Sequence, residues 1–185
     1  ELAVRAHVDA CLDPTDSSQS FLAQTRVYAA KPKLHLRRTV KLDFVAEYFI
    51  YDLIYNNRSI FRKSHTDKRQ HFGYRFDHGY PINPSDSYKA FKGAILAATA
   101  MYKHSISFDI ASYFNNIYHH DLVSWMANAG ADGRNTEALG QFLREINSGR
   151  SVDCLPQGLY PTKMIGSDFL RFVDNNHGLK SGALL

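Results

Sequence analysis

Cysteine is scarce in this 185-residue sequence, and long apolar runs are absent. Cys11 and Cys154 belong to no CxxC or Cys/His array, which argues against a disulfide framework or a structural zinc site and fits a reducing cytoplasm. The histidines form no HxxH or HExxH pattern, so we interpret them as surface or capping residues and not as metal ligands. Because no apolar run approaches the roughly 18 residues of a membrane span, we expect no membrane partner. The chain opens on Glu1 and not Met, and we expect it to be a piece of a longer protein.

Acidic residues are few in one segment. Residues 31–75 hold 11 of the 22 lysines and arginines but four acids, a net charge of +7, against −3 for the rest of the chain. Aromatic side chains are interleaved with these cations, a mixture that suits phosphate contacts combined with base stacking. The interleaved aromatics are Tyr48, Tyr51, Tyr55, Phe61, Phe72, Tyr74 and Phe76. The pattern leaves two interpretations open, a nucleic-acid or nucleotide surface and a solvated face over an aromatic core.

Helical composition dominates the first half of the chain. Residues 2–12 and 20–30 are separated by the breaker cluster DPTDSSQS, and we expect the front end to be helical. Asp43 can cap a helix over residues 44–55. Residues 58–82 are predicted to form one hairpin with a strongly basic tip.

A predicted strand follows the next helix, which runs from Ser85 to about Tyr102. In HSISFDI, residues 104–110, apolar and polar side chains alternate, which predicts a half-buried strand ending near Asp109. Helices are then predicted over residues 111–127, from a cap at Asn135 or Thr136 to about 147, and from Pro161 to about 173. Tyr113, Tyr118 and Trp125 fall at helical spacing and are predicted to be core residues.

Two short motifs carry chemistry: FDIASYF at residues 108–114, and LPQG at residues 155–158, just before YPTKMIGSDFL. Together they resemble a reverse transcriptase, an RNA-directed DNA polymerase, over most of the chain from about Arg37. The segment SFDIASYFNNIYHHDL is most similar to that of the bacterial abortive-infection and other antiphage defence enzymes. The resemblance implies an α+β fold, a right-hand polymerase with a small antiparallel sheet flanked by helices. It divides the chain into a helical N-terminal extension (1–36), fingers (37–103) and a partial palm (104–185).

The resemblance also implies a catalytic site. Asp109 matches the first metal-binding aspartate of the palm, and the Ile110 carbonyl matches its neighbouring ligand, for Mg²⁺ or Mn²⁺ ions that promote nucleotidyl transfer. Phe114 matches the aromatic residue that excludes a 2′-hydroxyl, and Gln157 with Gly158 matches the Gln-Gly turn that contacts the incoming nucleotide. From the residues alone, a helix-capping Asp109, a core Phe114 and an ordinary turn stay open.

Cations of the fingers complete the implied site. Lys68, Arg69 and Arg75 are candidates for the triphosphate of a deoxynucleotide, and Arg75 is favoured because a strand would hold it rigidly. Arg37 and Arg38 are expected on template phosphates. The implied partners are an RNA template or structured non-coding RNA, a DNA product and deoxynucleoside triphosphates, with a homo-oligomer or a second defence subunit as a further expectation.

The sequence departs from the family at one motif. The hairpin with two adjacent aspartates is absent, and the acids after Gln157 are Asp168 and Asp174. We therefore expect that the 185-residue chain by itself does not polymerise. Protein-primed or untemplated synthesis is a variant of this function. A polymerase-like scaffold or RNA-binding subunit is the alternative function, and a basic fold with coincidental motifs is the third possibility.

Overall fold

The computed structural model describes residues 1–31, 35–61, 65–66, 69–152 and 155–171. This part of the chain is mixed α and β, with six α-helices and three separate two-stranded antiparallel ladders. In chain order the helices are α1 (Leu2–Cys11), α2 (Phe44–Asn56), α3 (Pro84–Thr99), α4 (His119–Asn128), α5 (Gly133–Ile146) and α6 (Tyr160–Phe169). The strands are β1 (Thr25–Lys31), β2 (His35–Lys41), β3 (His65–Thr66), β4 (Arg69–Gln70), β5 (Phe76–Asp77) and β6 (Tyr80–Pro81).

The core lies between helices. Helix α5 buries Thr136, Leu139, Phe142, Leu143 and Ile146 on one face, at the three- and four-residue steps of an amphipathic helix. This face packs against α4 and α2, and α6 packs against both of those helices. The site described below therefore rests on a helical platform.

Local capping explains where two of these helices begin. The Asp43 carboxylate accepts hydrogen bonds from the backbone N–H groups of Val45 and Ala46, 2.8 and 3.3 Å away, as predicted from the sequence. Asp132 caps α5 by accepting from the N–H of Asn135 at 2.8 Å, so the cap lies three to four residues earlier than predicted. Each cap satisfies amide groups that have no partner inside the helix.

The prediction of a helix over residues 20–30 is wrong. β1 pairs with β2 in a regular antiparallel ribbon, in which Thr25 lies opposite Lys41 and Lys31 opposite His35. Thr25, Val27 and Tyr28 favour a strand, and the neighbouring β2 supplies the hydrogen bonds that this segment needs. Within the described residues, the N-terminal extension predicted to be helical therefore contains one helix, α1.

The hairpin predicted over residues 58–82 is two short ladders. β3 pairs with β4, and β5 pairs with β6, while residues 58–60 form a 3-10 turn. His78 and Gly79 connect β5 to β6 with φ values of 46° and 84°. Two successive positive φ values fit a type I′ turn, whose twist suits a two-residue hairpin and favours glycine.

The strand predicted over residues 104–110 is also wrong. This segment is neither helix nor strand, and Ile106 and Phe108 are 87% and 86% exposed. An alternating pattern makes a half-buried strand only if another strand pairs with it, and none does within the described part of the chain. The segment leads through Ser112, at φ 53°, into a 3-10 turn at Tyr113–Asn115 and then α4, where a helix was predicted from residue 111.

Candidate functional site

The Gln157–Gly158 turn lies against strand β2. The Thr39 hydroxyl donates a 2.9 Å hydrogen bond to the Gln157 carbonyl. Gly158 has a φ of 114°, which a residue with a side chain rarely adopts, so the glycine is required by the backbone. The Thr162 hydroxyl on α6 donates to the Pro156 carbonyl at 2.5 Å. The turn is therefore held from both sides, by the ribbon and by the helix that follows it.

The Gln157 side chain reaches the 3-10 turn that follows Asp109. Its Nε2 donates to Asn115 Oδ1 at 2.8 Å, across 42 residues of sequence. The LPQG motif thus contacts the residue that directly follows the FDIASYF motif, through the two side-chain amides. The sequence patterns did not single out Asn115. Its position directly after Phe114, the aromatic residue of the motif, was the signal that could have indicated it.

Phe114 packs on α6. A Cβ atom placed on Gly166 would lie 2.8 Å from two carbon atoms of the Phe114 ring, so this glycine makes room for the aromatic ring. The hydroxyl of the neighbouring Tyr113 donates to the Gly166 carbonyl at 2.7 Å, and the two rings are 5.4 Å apart, edge to face. Phe114 therefore has the packing role that the sequence analysis left open, with its side chain half-buried.

Of the residues predicted to be core, Tyr113 and Trp125 pack against the buried cluster. Tyr118, 47% exposed, is not buried, so its prediction is wrong. It directly precedes α4 and lies outside the helical stripe that Leu122 and Met126 bury.

Asp109 and Ile110 are exposed on the segment before this turn. Within the described residues no three His, Cys, Asp or Glu side chains are grouped so that they could hold a metal ion. Asp168 is 2% exposed and paired with Arg171, which also donates to the Ile60 carbonyl at 2.7 Å. Asp168 is thus engaged in an ion pair within the core, and Asp174 lies outside the described residues.

Arg75 lies beside the first turn of α6. Its guanidinium donates to the carbonyls of His71 and Gly73, 3.4 and 3.3 Å away, and its backbone N–H donates to the Tyr160 hydroxyl at 3.2 Å. That hydroxyl is also 2.6 and 3.0 Å from the carbonyl oxygens of Arg75 and Ile82. Burial raises the pKa of Tyr160, and backbone hydrogen bonds at Arg75 and Ile82 act in the opposite direction. The guanidinium thus stabilises its own loop. Arg75 does not lie in a strand, so the prediction that a strand holds it is wrong.

The loop that carries Arg75 follows α6 closely. A Cβ on Gly73 would lie 2.1 Å from Ser167 Oγ, and the Tyr74 ring is edge to face with the Tyr160 ring at 5.0 Å. Lys163 places its ammonium 5.0 Å from the centre of the Tyr74 ring, a cation–π distance. Lys163 is a second residue that the sequence analysis missed, because only the fold brings α6 next to this loop.

The other predicted cations are described incompletely. Arg37 and Arg38 belong to β2, where their backbones pair with Ala29 and Tyr28, two and one residues before Thr39. Arg69 begins β4. Lys68 lies outside the described residues, and the side chains of Arg37, Arg38 and Arg69 do too. The structure thus places the β2 backbone next to the Gln157 turn through Thr39, and the predictions for these four cations stay predictions.

Comparisons with known proteins found no relative. No family model matches the chain, and no curated protein and no solved structure matches it. Among the described residues, no helix combines the length and the apolar character that crossing a membrane demands. The case for a function therefore rests on the motifs and on the contacts between them.

Proposed function

We propose that this chain forms the fingers and the first half of the palm of an RNA-directed DNA polymerase of a bacterial antiphage defence system. Its reaction is nucleotidyl transfer, in which a 3′-hydroxyl attacks the α-phosphate of a deoxynucleoside triphosphate and pyrophosphate leaves. The proposed template is an RNA, the product is DNA, and the compartment is the cytoplasm. A homo-oligomer or a second defence subunit is part of this proposal.

The contact between Gln157 and Asn115 is the observation that carries the proposal. A 2.8 Å hydrogen bond joins Gln157 of the second motif to Asn115, the residue directly after the first motif, across 42 residues of sequence. The turn also lies next to β2, which carries Arg37 and Arg38, through the hydrogen bond from Thr39 to the Gln157 carbonyl. A polymerase needs this neighbourhood, because the incoming nucleotide contacts the Gln-Gly turn, the aromatic residue and the template at once.

In this proposal, Asp109 and Ile110 contribute ligands to a metal site. The Asp109 carboxylate is exposed, and the Ile110 carbonyl follows it directly. Mg²⁺ takes six oxygen ligands, so one carboxylate and one carbonyl leave most positions to water, to substrate phosphates and to residues beyond this set. Bound there, the ion would stabilise negative charge that develops on the phosphate. The role of Asp109 in this proposal is to hold the ion, and the role of Gln157 is to orient the nucleotide.

Primer extension in Mg²⁺ tests the proposal, with the full-length natural protein that contains this sequence and the nucleic acid that co-purifies with it. Asp109→Ala is expected to reduce DNA synthesis about 100-fold or more, since a metal ligand supplies several kcal/mol to the transition state. Asp121→Ala is the matched control, because Asp121 is also an exposed carboxylate, in the first turn of α4. DNA synthesis that persists at the wild-type rate in Asp109→Ala contradicts the proposal.

A scaffold or RNA-binding subunit is the second candidate. Two observations favour it: Asp109 stands on an exposed segment outside any strand, and Asp168 is held by Arg171. A scaffold would tolerate Asp109→Ala and Gln157→Ala but would lose RNA affinity when Arg37, Arg38, Lys68 and Arg69 are replaced by Gln. An enzyme would show the opposite sensitivity in its rate, so RNA binding and primer extension measured on the same variants separate the two.

A further inference from the structure

A cleft of about 570 Å³ lies on the far side of the Arg75 loop, between residues 70–74 and the first turns of α3. Its walls include the rings of Phe72, Tyr74, Tyr88 and Phe91. This volume falls within the range of small-molecule binding sites in proteins. The residues assigned to the polymerase reaction, Asp109 and Gln157, do not line it.

The aromatic rings of the cleft are arranged as a surface for stacking. Phe72 and Phe91 are 5.8 Å apart and steeply inclined, while Tyr88 and Phe91 are 6.4 Å apart at 32°. Tyr88 is 57% exposed and Phe91 is 42% exposed, so much of their apolar area stays in water. Both lie on the same face of α3, three residues apart. A flat ligand between the loop and α3 would cover these rings.

Polar and charged groups at the cleft indicate what kind of flat ligand fits. Gln70 and His71 line it and offer both hydrogen-bond donors and acceptors. The Lys92 ammonium is 4.8 Å from the centre of the Tyr88 ring. Lys92 thus places a positive charge beside a ring of the cleft wall.

We infer that this cleft binds an unpaired base of single-stranded nucleic acid. Aromatic rings stack on a base whatever its sequence, the Gln70 amide and the His71 imidazole suit a base edge, and Lys92 suits a neighbouring phosphate. An apolar peptide side chain would contact the rings but would form no hydrogen bond with the Gln70 amide and no ion pair with Lys92. The inference goes beyond the polymerase reaction, since binding here needs neither Asp109 nor a metal ion.

The test is equilibrium binding of the 185-residue chain to a fluorescein-labelled single-stranded RNA 12-mer, measured by fluorescence anisotropy. The DNA 12-mer of the same sequence and the RNA duplex are compared with it. Tyr88→Ala and Phe91→Ala are each expected to weaken single-strand binding between about 5-fold and 150-fold, the usual cost of removing one stacking ring. Ile95→Ala, one turn further along the same face of α3 and 44% exposed, is the matched control and is expected to bind as wild type does. Circular dichroism melting checks that each variant is folded.

Several outcomes would overturn the inference: no binding by the wild-type chain, equal loss of affinity in Ile95→Ala, duplex bound as tightly as single strand, or an aromatic peptide bound in place of the oligonucleotides. A second readout uses 2-aminopurine at the centre of the 12-mer, whose fluorescence is expected to be quenched by wild type and by Tyr88→Phe but not by Tyr88→Ala. RNA and DNA that bind equally identify the base as the ligand, and a preference for RNA adds a contact to the 2′-hydroxyl; either supports the inference. Asp109→Ala is expected to bind as wild type does, so a failure of the polymerase proposal leaves this result unaffected.

Discussion

Replacing Gly166 with alanine is a direct test of the contact between α6 and the 3-10 turn. The added Cβ would lie 2.8 Å from Cε1 and Cζ of Phe114 and 3.6 Å from a methyl group of Leu155. Carbon atoms in contact prefer about 3.5–4.0 Å, so the Phe114 ring must move away from the helix. That movement would loosen the turn that carries Asn115, and with it the hydrogen bond to Gln157.

Two opposing contributions set the magnitude. Overpacking a filled site costs about 1–3 kcal/mol, and replacing a helical glycine with alanine recovers about 0.5–1 kcal/mol. Gly166→Ala is therefore expected to destabilise the fold by about 1 kcal/mol, which lowers the melting temperature of a chain this size by about 2–4 °C. Gly93 is the matched control: it lies inside α3, and a Cβ there meets nothing within 4 Å. Gly93→Ala is expected to stabilise the fold by about 0.5–1 kcal/mol.

Urea unfolding followed by circular dichroism measures both variants. The double variant Gly166→Ala with Phe114→Leu completes the cycle, because the smaller side chain removes the clash, and the two changes are expected to couple favourably by about 0.5–2 kcal/mol. If Gly166→Ala stabilises the protein as much as Gly93→Ala does, Phe114 does not rest on α6 and the geometry of the candidate site is wrong.

Three further substitutions test the supports of the site. Asp43→Ala removes the cap of α2 and is expected to cost about 1 kcal/mol in urea unfolding, with Asp43→Asn close to wild type. Arg171→Met leaves the buried Asp168 without its cation and is expected to cost about 3–5 kcal/mol in urea unfolding at pH 7. Because burial raises the pKa of Tyr160, its contribution to stability is present below pH 10 and is lost as the pH rises through its pKa in the fold. Tyr160→Phe should therefore lose less stability than wild type between pH 9 and 11. If the free energy of unfolding falls with pH equally in both proteins, Tyr160 is not the group responsible.

Local signals in the sequence predicted much of the fold. The Asp43 cap and the first-turn Pro161 lie where the pattern placed them, and α2 ends one residue beyond the predicted residue 55. Each signal acts through a backbone preference or a hydrogen bond within a few residues, so it can be recognised without knowing the rest of the fold. The α+β class, which the resemblance implied, is confirmed in the described residues.

Features that depend on a distant partner were not predictable in the same way. The alanines of β1 resemble a helix until β2 is placed beside them, and the alternation in residues 104–110 describes a strand only when another strand is present. The meeting of Asn115 with Gln157 spans 42 residues and depends on how α6 is placed. The identity of a single residue does not indicate its distant partner, because the packing of the whole chain determines such pairings.

The N-terminal segment is anchored far along the chain, and this has a consequence for synthesis. The Phe21 N–H donates to the Glu145 carboxylate at 2.9 Å, and Gln24 donates to the Ile146 carbonyl at 2.7 Å. At about 5–20 residues per second, the ribosome takes about 6–25 s to make the residues in between. Cys11, whose pKa burial raises in the finished fold, would stay accessible to a thiol reagent during that interval. A short pulse of alkylating reagent should therefore label Cys11 in nascent chains that end before α5 and spare it in completed ones.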